Sequence, residues 1–533
     1  MSDVLTTINH RRTAQTDRAE HRQARNNAGG YTFEVSPDQR LRRFLTLGTD
    51  SGTYYASARD LTRENAAVVV ALAESDPRML VDTIVDVSSR GAAPRQNPAL
   101  FALAIAASIG DEKAYALGAL PNVARTGTHL FLFAQYVQQF RGWGRGLRRA
   151  VADWYTSKDA DQAAFQAVKY RQREGWSHRD LLRLAHPVTL DPALKATFDW
   201  ICRGATSDGT PALIGGFLAA QADGADVPSL VREHRLTWEM LPDAALNDPA
   251  TWDALLDAGM GQTALMRQLP RLTRIGILPQ VGGRTGEVAQ LLTDRDRLKR
   301  GRVHPVNVLV AQRTYASGRS ARGAGEWEPT RRIVDALDAA FYEAFGAVDP
   351  SGKRTMLALD VSGSMTEQVA NMPLSAREAS AALALVQLAT EPVAAAYGFT
   401  AGMVGINYYR GRDEISPLTL SPRQRLDDAI RSVSTLPFGG TDCALPMTHA
   451  TKHGLGVDHF VVYTDSETWA GDVHPHQALR EYRQESGIDA KLTVVGMTAT
   501  NFTIADPSDA GMLDVAGFDS AVPNLIADFA RGI

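Results

Sequence analysis

The 533-residue chain predicts two architectures in series, a helical solenoid-like part followed by a doubly wound α/β domain. Three observations carry this. From about residue 60 to residue 345, apolar residues recur at helical spacing and no strand alternation is evident. Near Asp349-Pro350-Ser351-Gly352 the texture changes, and apolar strands begin to alternate with helices. Charge divides at the same place: residues 1–350 carry 43 Lys+Arg against 39 Asp+Glu, and residues 351–533 carry 13 against 21.

In the first part the spacing predicts helices over 63–79, 98–120, 130–140, 162–172 and 332–345. Turn signals at Arg90-Gly91, Ser207-Asp208-Gly209 and Val281-Gly282-Gly283 separate them. Many helices without a strict period predict a degenerate solenoid, whose stacked helix pairs build curved binding surfaces. In the second part 356–359, 459–463 and 492–496 read as strands, with a further strand over 403–408. Helices are expected over 375–390, 424–434 and 522–529, and one beginning near Ala444. Ligands of such α/β folds sit outside the carboxyl ends of the strands. The domains are therefore drawn as 1–349 and 350–533.

Composition narrows the class. The two cysteines, Cys202 and Cys443, provide neither a disulfide framework nor a thiolate zinc site, which fits a reducing compartment. The arginine-rich N-terminus lacks the apolar core of a signal peptide, and the best apolar run, 98–110, is too short to span a bilayer. A cytoplasmic protein without membrane attachment is expected. Two windows are strongly basic: 125–186 has 11 basic against 5 acidic residues, and 267–332 has 14 against 5. Such concentration points to a polyanion partner; solvated helix faces are the alternative.

The second part carries a constellation in three pieces: Asp360-Val361-Ser362-Gly363-Ser364, Phe438-Gly439-Gly440-Thr441-Asp442 and Phe460-Val461-Val462-Tyr463-Thr464-Asp465. Asp360, Ser362, Ser364, Thr441 and Asp465 make an all-oxygen donor set, which suits a hard cation such as Mg²⁺. Two carboxylates only just balance a divalent ion, so one coordination position is expected to stay open for a partner's carboxylate or phosphate oxygen. Helix caps and turns are the bland reading of the same residues. No serine sits in a G-x-S-x-G elbow, and no phosphate-binding loop is present. Gly142-Trp143-Gly144-Arg145-Gly146 lies among helices and is no dinucleotide fingerprint. His474 and His476, near Asp465, are read as surface or core residues rather than zinc ligands. Two carboxylates are too few for two-metal phosphoryl chemistry, so no catalytic residue is assigned.

The three pieces in this order resemble a von Willebrand factor A (vWA) domain with its metal-ion-dependent adhesion-type site. Further stretches are more specific: 23–31, continuing through 40–45 and 52–55; Thr128-His129-Leu130-Phe131; 143–155; 169–186; Arg302-Val303-His304-Pro305; and 464–469. Followed by the D-x-S-x-S domain, they resemble the TROVE-domain Ro autoantigen family in its bacterial form, over nearly the whole chain. The resemblance implies a ring of HEAT-like helical repeats with the vWA domain packed on it. It implies small noncoding Y-like RNA on the outer surface and single-stranded 3′ ends of misfolded or damaged RNA in the central hole. A non-enzymatic role in RNA quality control and stress survival follows, with an exoribonuclease as partner and a monomeric protein within the ribonucleoprotein. The family's Y RNA contacts fall on Lys169, Arg173 and His186.

The residues agree without the family. Lys169 and Arg173 are four apart and are expected to share a helix face; Arg179 and Arg183 repeat the spacing, and Arg171 and His186 complete the cluster. Such a set can follow phosphates along a backbone, with His186 able to stack on an unpaired base. Weak surface pairs with Glu174 and Asp180 are the alternative. Trp143, Trp154 and Trp176 are read as core. Arg271, Arg274, Arg297, Lys299, Arg300 and Arg302 are a candidate lining for the hole. The competing function is a vWA assembly module in which Mg²⁺ bridges to a partner protein and the helices are a spacer.

Overall fold

The computed structural model describes residues 12–48, 66–173, 175–320, 324–346, 348–369, 374–401, 415–421, 424–436 and 439–533. The strand expected over 403–408, Phe438, Glu174 and the stretch 52–55 lie outside them. The described residues form two compact units: the N-terminal segment up to Val68 together with Phe345–Ile533, and Val69–Ala344. The later junction between the units falls between Ala344 and Phe345. The grouping of the N-terminal segment differs from the 1–349 expectation, because that segment buries its polar side chains in the α/β unit.

The N-terminal segment holds strands β1 (Ala24–Arg25) and β2 (Tyr31–Glu34), paired antiparallel, and the helix Pro37–Leu47. Ser36 caps that helix in a capping box with Gln39, and Pro37 supplies a fixed φ at its first turn.

The second unit is helical. The helix expected over 63–79 is instead two, Ala67–Ser75 and Pro77–Arg90. Asp76 caps the second through the Met79 N–H, and Pro77 lacks the N–H that a continuous helix needs. The segment 98–120 is also broken, into Asn97–Ala106, Lys113–Gly118 and Leu120–Val123. Gly110 turns the chain there at φ 75, and a Cβ on it would lie 2.0 Å from the Ala73 carbonyl oxygen. Gly127–Phe140, Ala160–Lys169 and Arg331–Glu343 match their expected helices within a few residues. One hairpin interrupts the pattern, β3 (Gln172–Arg173) with β4 (Trp176–Ser177).

His178 sits at the centre of this packing, 2% exposed. Its Nδ1 takes the Tyr155 hydroxyl at 2.7 Å, and its Nε2 lies 3.1 Å from the Gln166 carbonyl. The neutral ring is thus satisfied at both nitrogens, and protonation would place a charge inside the packed core. Burial lowers the His178 pKa to about 4. Below the unfolded value near 6.5 the unfolded chain takes up this proton and the folded chain does not. Stability of the helical unit is therefore expected to fall as pH drops from about 6.5 to 4, by up to roughly 1.4 kcal/mol per pH unit for this group. Urea midpoints at pH 7 and pH 5 check this; a higher midpoint at pH 5 contradicts it.

The α/β unit contains β5 (Thr355–Asp360), β6 (Ala394–Phe399), β7 (Ile415–Pro417), β8 (His459–Thr464), β9 (Lys491–Gly496), β10 (Phe502–Thr503) and β11 (Met512–Ala516). Six form a sheet in the order β11-β9-β8-β5-β6-β7, parallel except at β6–β7. β5 and β8 are buried along their whole length, which explains their continuous apolar runs. From β5 the chain goes to β6 on one side and later to β8 on the other. The carboxyl ends of β5 and β8 therefore flank the switch point. β10 pairs instead with β2, adding the N-terminal hairpin to this unit.

Candidate functional site

The basic cluster is built on two helix ends and a hairpin. Lys169 closes the helix Ala160–Lys169, so Arg173 does not share a helix face with it as expected. The chain turns at Tyr170 (φ −115, ψ 60), and Arg173 stands in the β3–β4 hairpin, which Gly175 turns at φ 77. Arg171 and Arg173 are exposed, with the Arg171 guanidinium 5.4 Å over the Phe217 ring. Arg179 and Arg183 do share one face of the helix His178–Ala185; both are exposed, and neither forms an ion pair among the described residues. Burial raises the pKa of the Cys202 thiol, and the nearby charges of Arg183 and Arg179 offset part of that rise. His186 ends the helix at φ 49, and its side chain is exposed. The Asp180 alternative does not hold: its carboxylate is used in the capping box with Ser177, whose backbone N–H it accepts at 2.9 Å. Past His186, Val188 and Leu190 stand 87% and 99% exposed, a feature sequence reading missed.

The second window separates into two kinds of arginine. Arg297 donates to the Met260 carbonyl at 2.6 Å, and Arg302 to the Ser89 carbonyl at 2.8 Å, so both serve packing. Arg271 lies 5.7 Å over the Trp252 ring. Arg274, Lys299 and Arg300 are exposed. Trp154 is fully buried, as expected, whereas Trp143 and Trp176 are half-buried and pack on each other at 5.5 Å.

Four of the five oxygen donors, Asp360, Ser362, Ser364 and Asp465, lie at the carboxyl ends of β5 and β8. Asp360 accepts from the Ser362 N–H at 2.8 Å and from the Thr464 hydroxyl at 2.7 Å. The Ser362 and Ser364 hydroxyls are 3.1 Å apart, and Asp465 accepts from the Glu467 N–H at 3.0 Å and is hydrogen-bonded by Ser364. Thr441 is 3% exposed, and its carbonyl accepts from the Trp469 and Ala470 N–H groups at 3.0 Å each. Burial, then the charge of Asp465, pushes Asp360 up to about 7; burial also raises Asp465. The neighbouring Arg377 is committed to the carbonyls of Val361, Ser362 and Leu436. Two buried carboxylates and three hydroxyls fit a hard divalent cation chemically. Among the described residues no group of three or more His, Cys, Asp or Glu side chains could hold a metal, so the set depends on its hydroxyls.

The N-terminal segment braces these loops. Gln15 donates to Asp442 at 2.6 Å, Asn27 to Glu467 at 2.7 Å, and Asn26 to the Thr468 carbonyl at 2.8 Å. Gly30 passes so close that a Cβ would lie 2.0 Å from the Thr468 oxygen. Of the two readings, surface or core, His474 and His476 are core, with His474 bonded to Gln23 and the Asp17 carbonyl. A different pair went unread: His449 and His453, four apart at the end of the helix Leu445–Lys452, with ring centroids 4.4 Å apart.

Comparison with known proteins bears on both parts. A model of the TROVE domain matches residues 24–207 and 232–316, and one of the Ro60 vWA domain matches residues 354–530. The chain is 44% identical over 545 residues to the RNA-binding protein RO60 of Deinococcus radiodurans, covering all of both chains. It is 36% identical to that of Caenorhabditis elegans, covering 97% of this chain and 91% of the relative. The crystal structure of the Deinococcus radiodurans RO (RSR) protein is similar at a TM-score of 0.70 and 43% identity, covering 93% of this chain and all of that one. No helix among the described residues is long and apolar enough to cross a membrane.

Proposed function

The chain belongs to the Ro60 family of TROVE-domain RNA-binding proteins, and from that premise we propose that it holds a small structured noncoding RNA of the Y type on the cluster Lys169, Arg171, Arg173, Arg179, Arg183 and His186. The observation that supports this cluster is its exposure: five of the six side chains are exposed, and Arg179 and Arg183 have no carboxylate partner among the described residues. In this reading single-stranded 3′ ends of misfolded or damaged RNA are taken by the second basic window, through Arg274, Lys299 and Arg300. The protein is a cytoplasmic, monomeric scaffold that presents RNA to an exoribonuclease and catalyses nothing itself.

Phosphate contacts release counterions, so the affinity for a Y-type hairpin should fall steeply with salt. Four contacts would cost about a hundredfold between 50 and 200 mM salt. Filter binding at both concentrations measures this, and a salt-independent affinity argues against the cluster.

The same reading gives the oxygen set a Mg²⁺ ion held by Asp360, Ser362, Ser364, Thr441 and Asp465, with one position open to a partner oxygen. When bound, the ion supplies charge neutralisation for two carboxylates that otherwise repel each other. Magnesium at a hundred times its dissociation constant should stabilise the full chain by about 2.7 kcal/mol. A thermal shift should appear with the wild type and vanish in Asp360→Asn; an equal shift in both removes the site.

A further inference from the structure

The helix Arg145–Thr156 begins with its charges at the unfavourable end. A helix N-terminus favours anions and disfavours cations. This one has Arg145 as its first residue and Arg148 one turn on, with no acidic residue in its first turn. Both arginines are exposed, and neither has a hydrogen-bond or ion-pair partner among the described residues. The third arginine of the run, Arg149, does have one: Asp153 lies 3.8 Å from it. An arginine that merely solvates a helix face would be more stable near the other end. Arg145 and Arg148 therefore do nothing for the helix that carries them, which points to an anion outside the chain.

Their surroundings tie them to the basic cluster. Trp143, two residues before Arg145, packs on Trp176 with ring centroids 5.5 Å apart. Trp176 lies directly opposite Arg173 in the β3–β4 hairpin. Residues directly opposite in an antiparallel pair share a face, with Cβ atoms about 5 Å apart. The tryptophan pair thus connects Arg173 to the helix that Arg145 opens, and Gly144, between Trp143 and Arg145, has no side chain to stand in the way. Both indoles are half-buried, so part of each stays open to solvent. Unpaired arginines beside aromatic rings suit nucleic acid, whose phosphates take the charges and whose sugars and bases cover the rings. An acidic protein segment would meet the charges alone.

We propose that the RNA held on the cluster continues across the Trp143–Trp176 pair onto Arg145 and Arg148, which contact its phosphates. The inference rests on the RNA reading above and widens its footprint to the start of a second helix. It also gives a role to the glycine-rich run 142–146, which is no dinucleotide fingerprint but carries both a ring and a charge of this surface.

The test uses the full chain and a Y-type hairpin in filter binding over a salt series. Arg145→Ala with Arg148→Ala should weaken the hairpin about tenfold at low salt and lower the slope of log affinity against log salt by about two, one for each lost phosphate contact. Arg145→Lys with Arg148→Lys should keep most of the slope, since the charges remain. A control removes two arginines that are paired within the chain, Arg78 with Glu112 and Arg90 with Asp86. It costs the same net charge and should move the slope by less than about half a unit. A slope unchanged by the first alanine pair, or lowered as much by the control, overturns the proposal. So does polyglutamate that the wild type binds as tightly as the hairpin and the alanine pair loses to the same extent, which would make this a surface for acidic protein. The urea midpoint of the alanine pair should equal or exceed that of the wild type, because cations leave the unfavourable end of a helix. A lower midpoint assigns the arginines a structural role and likewise overturns it. The two readings fail separately. If changing Lys169, Arg173 and His186 to alanine leaves the hairpin bound while the Arg145 and Arg148 pair still weakens it, the cluster fails and these two contacts stand.

Discussion

Replacing Arg43 with alanine is expected to destabilise the α/β unit by about 3–5 kcal/mol, the cost of leaving a buried charge without its partner. Arg43 lies on the helix Pro37–Leu47 and is 1% exposed. Its Nη2 donates to both oxygens of Asp514, at 2.7 and 2.9 Å, and its Nη1 donates to the carbonyls of Thr500 and Phe502. Gly496 makes room for it: a Cβ there would lie 2.7 Å from the guanidinium. One side chain thus ties the N-terminal segment to β11 and to the β9–β10 connection. Burial already holds the Asp514 carboxyl above its usual range, even against Arg43. Without the guanidinium the raised pKa moves higher still. A carboxyl whose folded pKa exceeds its unfolded value binds its proton preferentially when folded, so Arg43→Ala should regain stability as pH falls toward that unfolded value. Arg43→Lys should rescue little, since an ammonium cannot fork to both Asp514 oxygens and also reach the carbonyls. Arg43→Met with Asp514→Leu should recover most of the loss, because neither charge is then stranded. Urea unfolding of the full chain at pH 7 and pH 5 reads all of these. A loss below about 1 kcal/mol for Arg43→Ala would mean that water reaches Asp514.

The same pair shows where sequence reading stops. Long elements were legible because their signal is local. Ser375 caps Ala376–Thr390, and the apolar runs of β5, β8 and β9 mark buried strands. The carboxylates of the oxygen set were legible too, because a strand end fixes where Asp360 and Asp465 emerge. What failed depended on breaks or on distance. Asp76-Pro77 and Gly110 split segments whose apolar spacing continues across them. The hairpin at 172–177 is too short for any alternation to register, so Arg173 was placed on a helix that ends four residues earlier. Arg43 was read only as part of the stretch 40–45, and nothing local distinguishes it from the part-exposed Arg42 beside it. Its buried partner lies 471 residues away. Gln15, Asn26 and Asn27 are a similar case. They bond to residues near Thr441 and Asp465; the stretches 23–31 and 464–469 were noticed separately, Gln15 not at all, and no local signal shows that they touch.

Changing Lys169, Arg173 and His186 to alanine together is expected to weaken a Y-type hairpin by one to two orders of magnitude and a single strand much less. The three side chains differ in kind, which makes the pattern of loss informative. Arg173 stands exposed on the hairpin, and His186 on the left-handed residue that ends the next helix. Both can reach a backbone that crosses the hairpin and the helix end. Lys169 is half-buried over Phe165 and Tyr170, so less of its charge faces solvent. Arg173→Ala should therefore lower the slope of log affinity against log salt by about one, the signature of a lost phosphate contact, uniformly across hairpin sequences. Lys169→Ala should change the salt slope less, since its ammonium already lies 3.7 Å from a Glu239 carboxylate oxygen. His186→Ala should cost affinity with little change in salt slope, the pattern expected of a side chain that stacks on a base. Equal losses for hairpin and single strand would collapse the two-site reading into one general polyanion surface. That outcome is distinguishable from misfolding by an unchanged urea midpoint, because none of the three substitutions opens a cavity in the buried core.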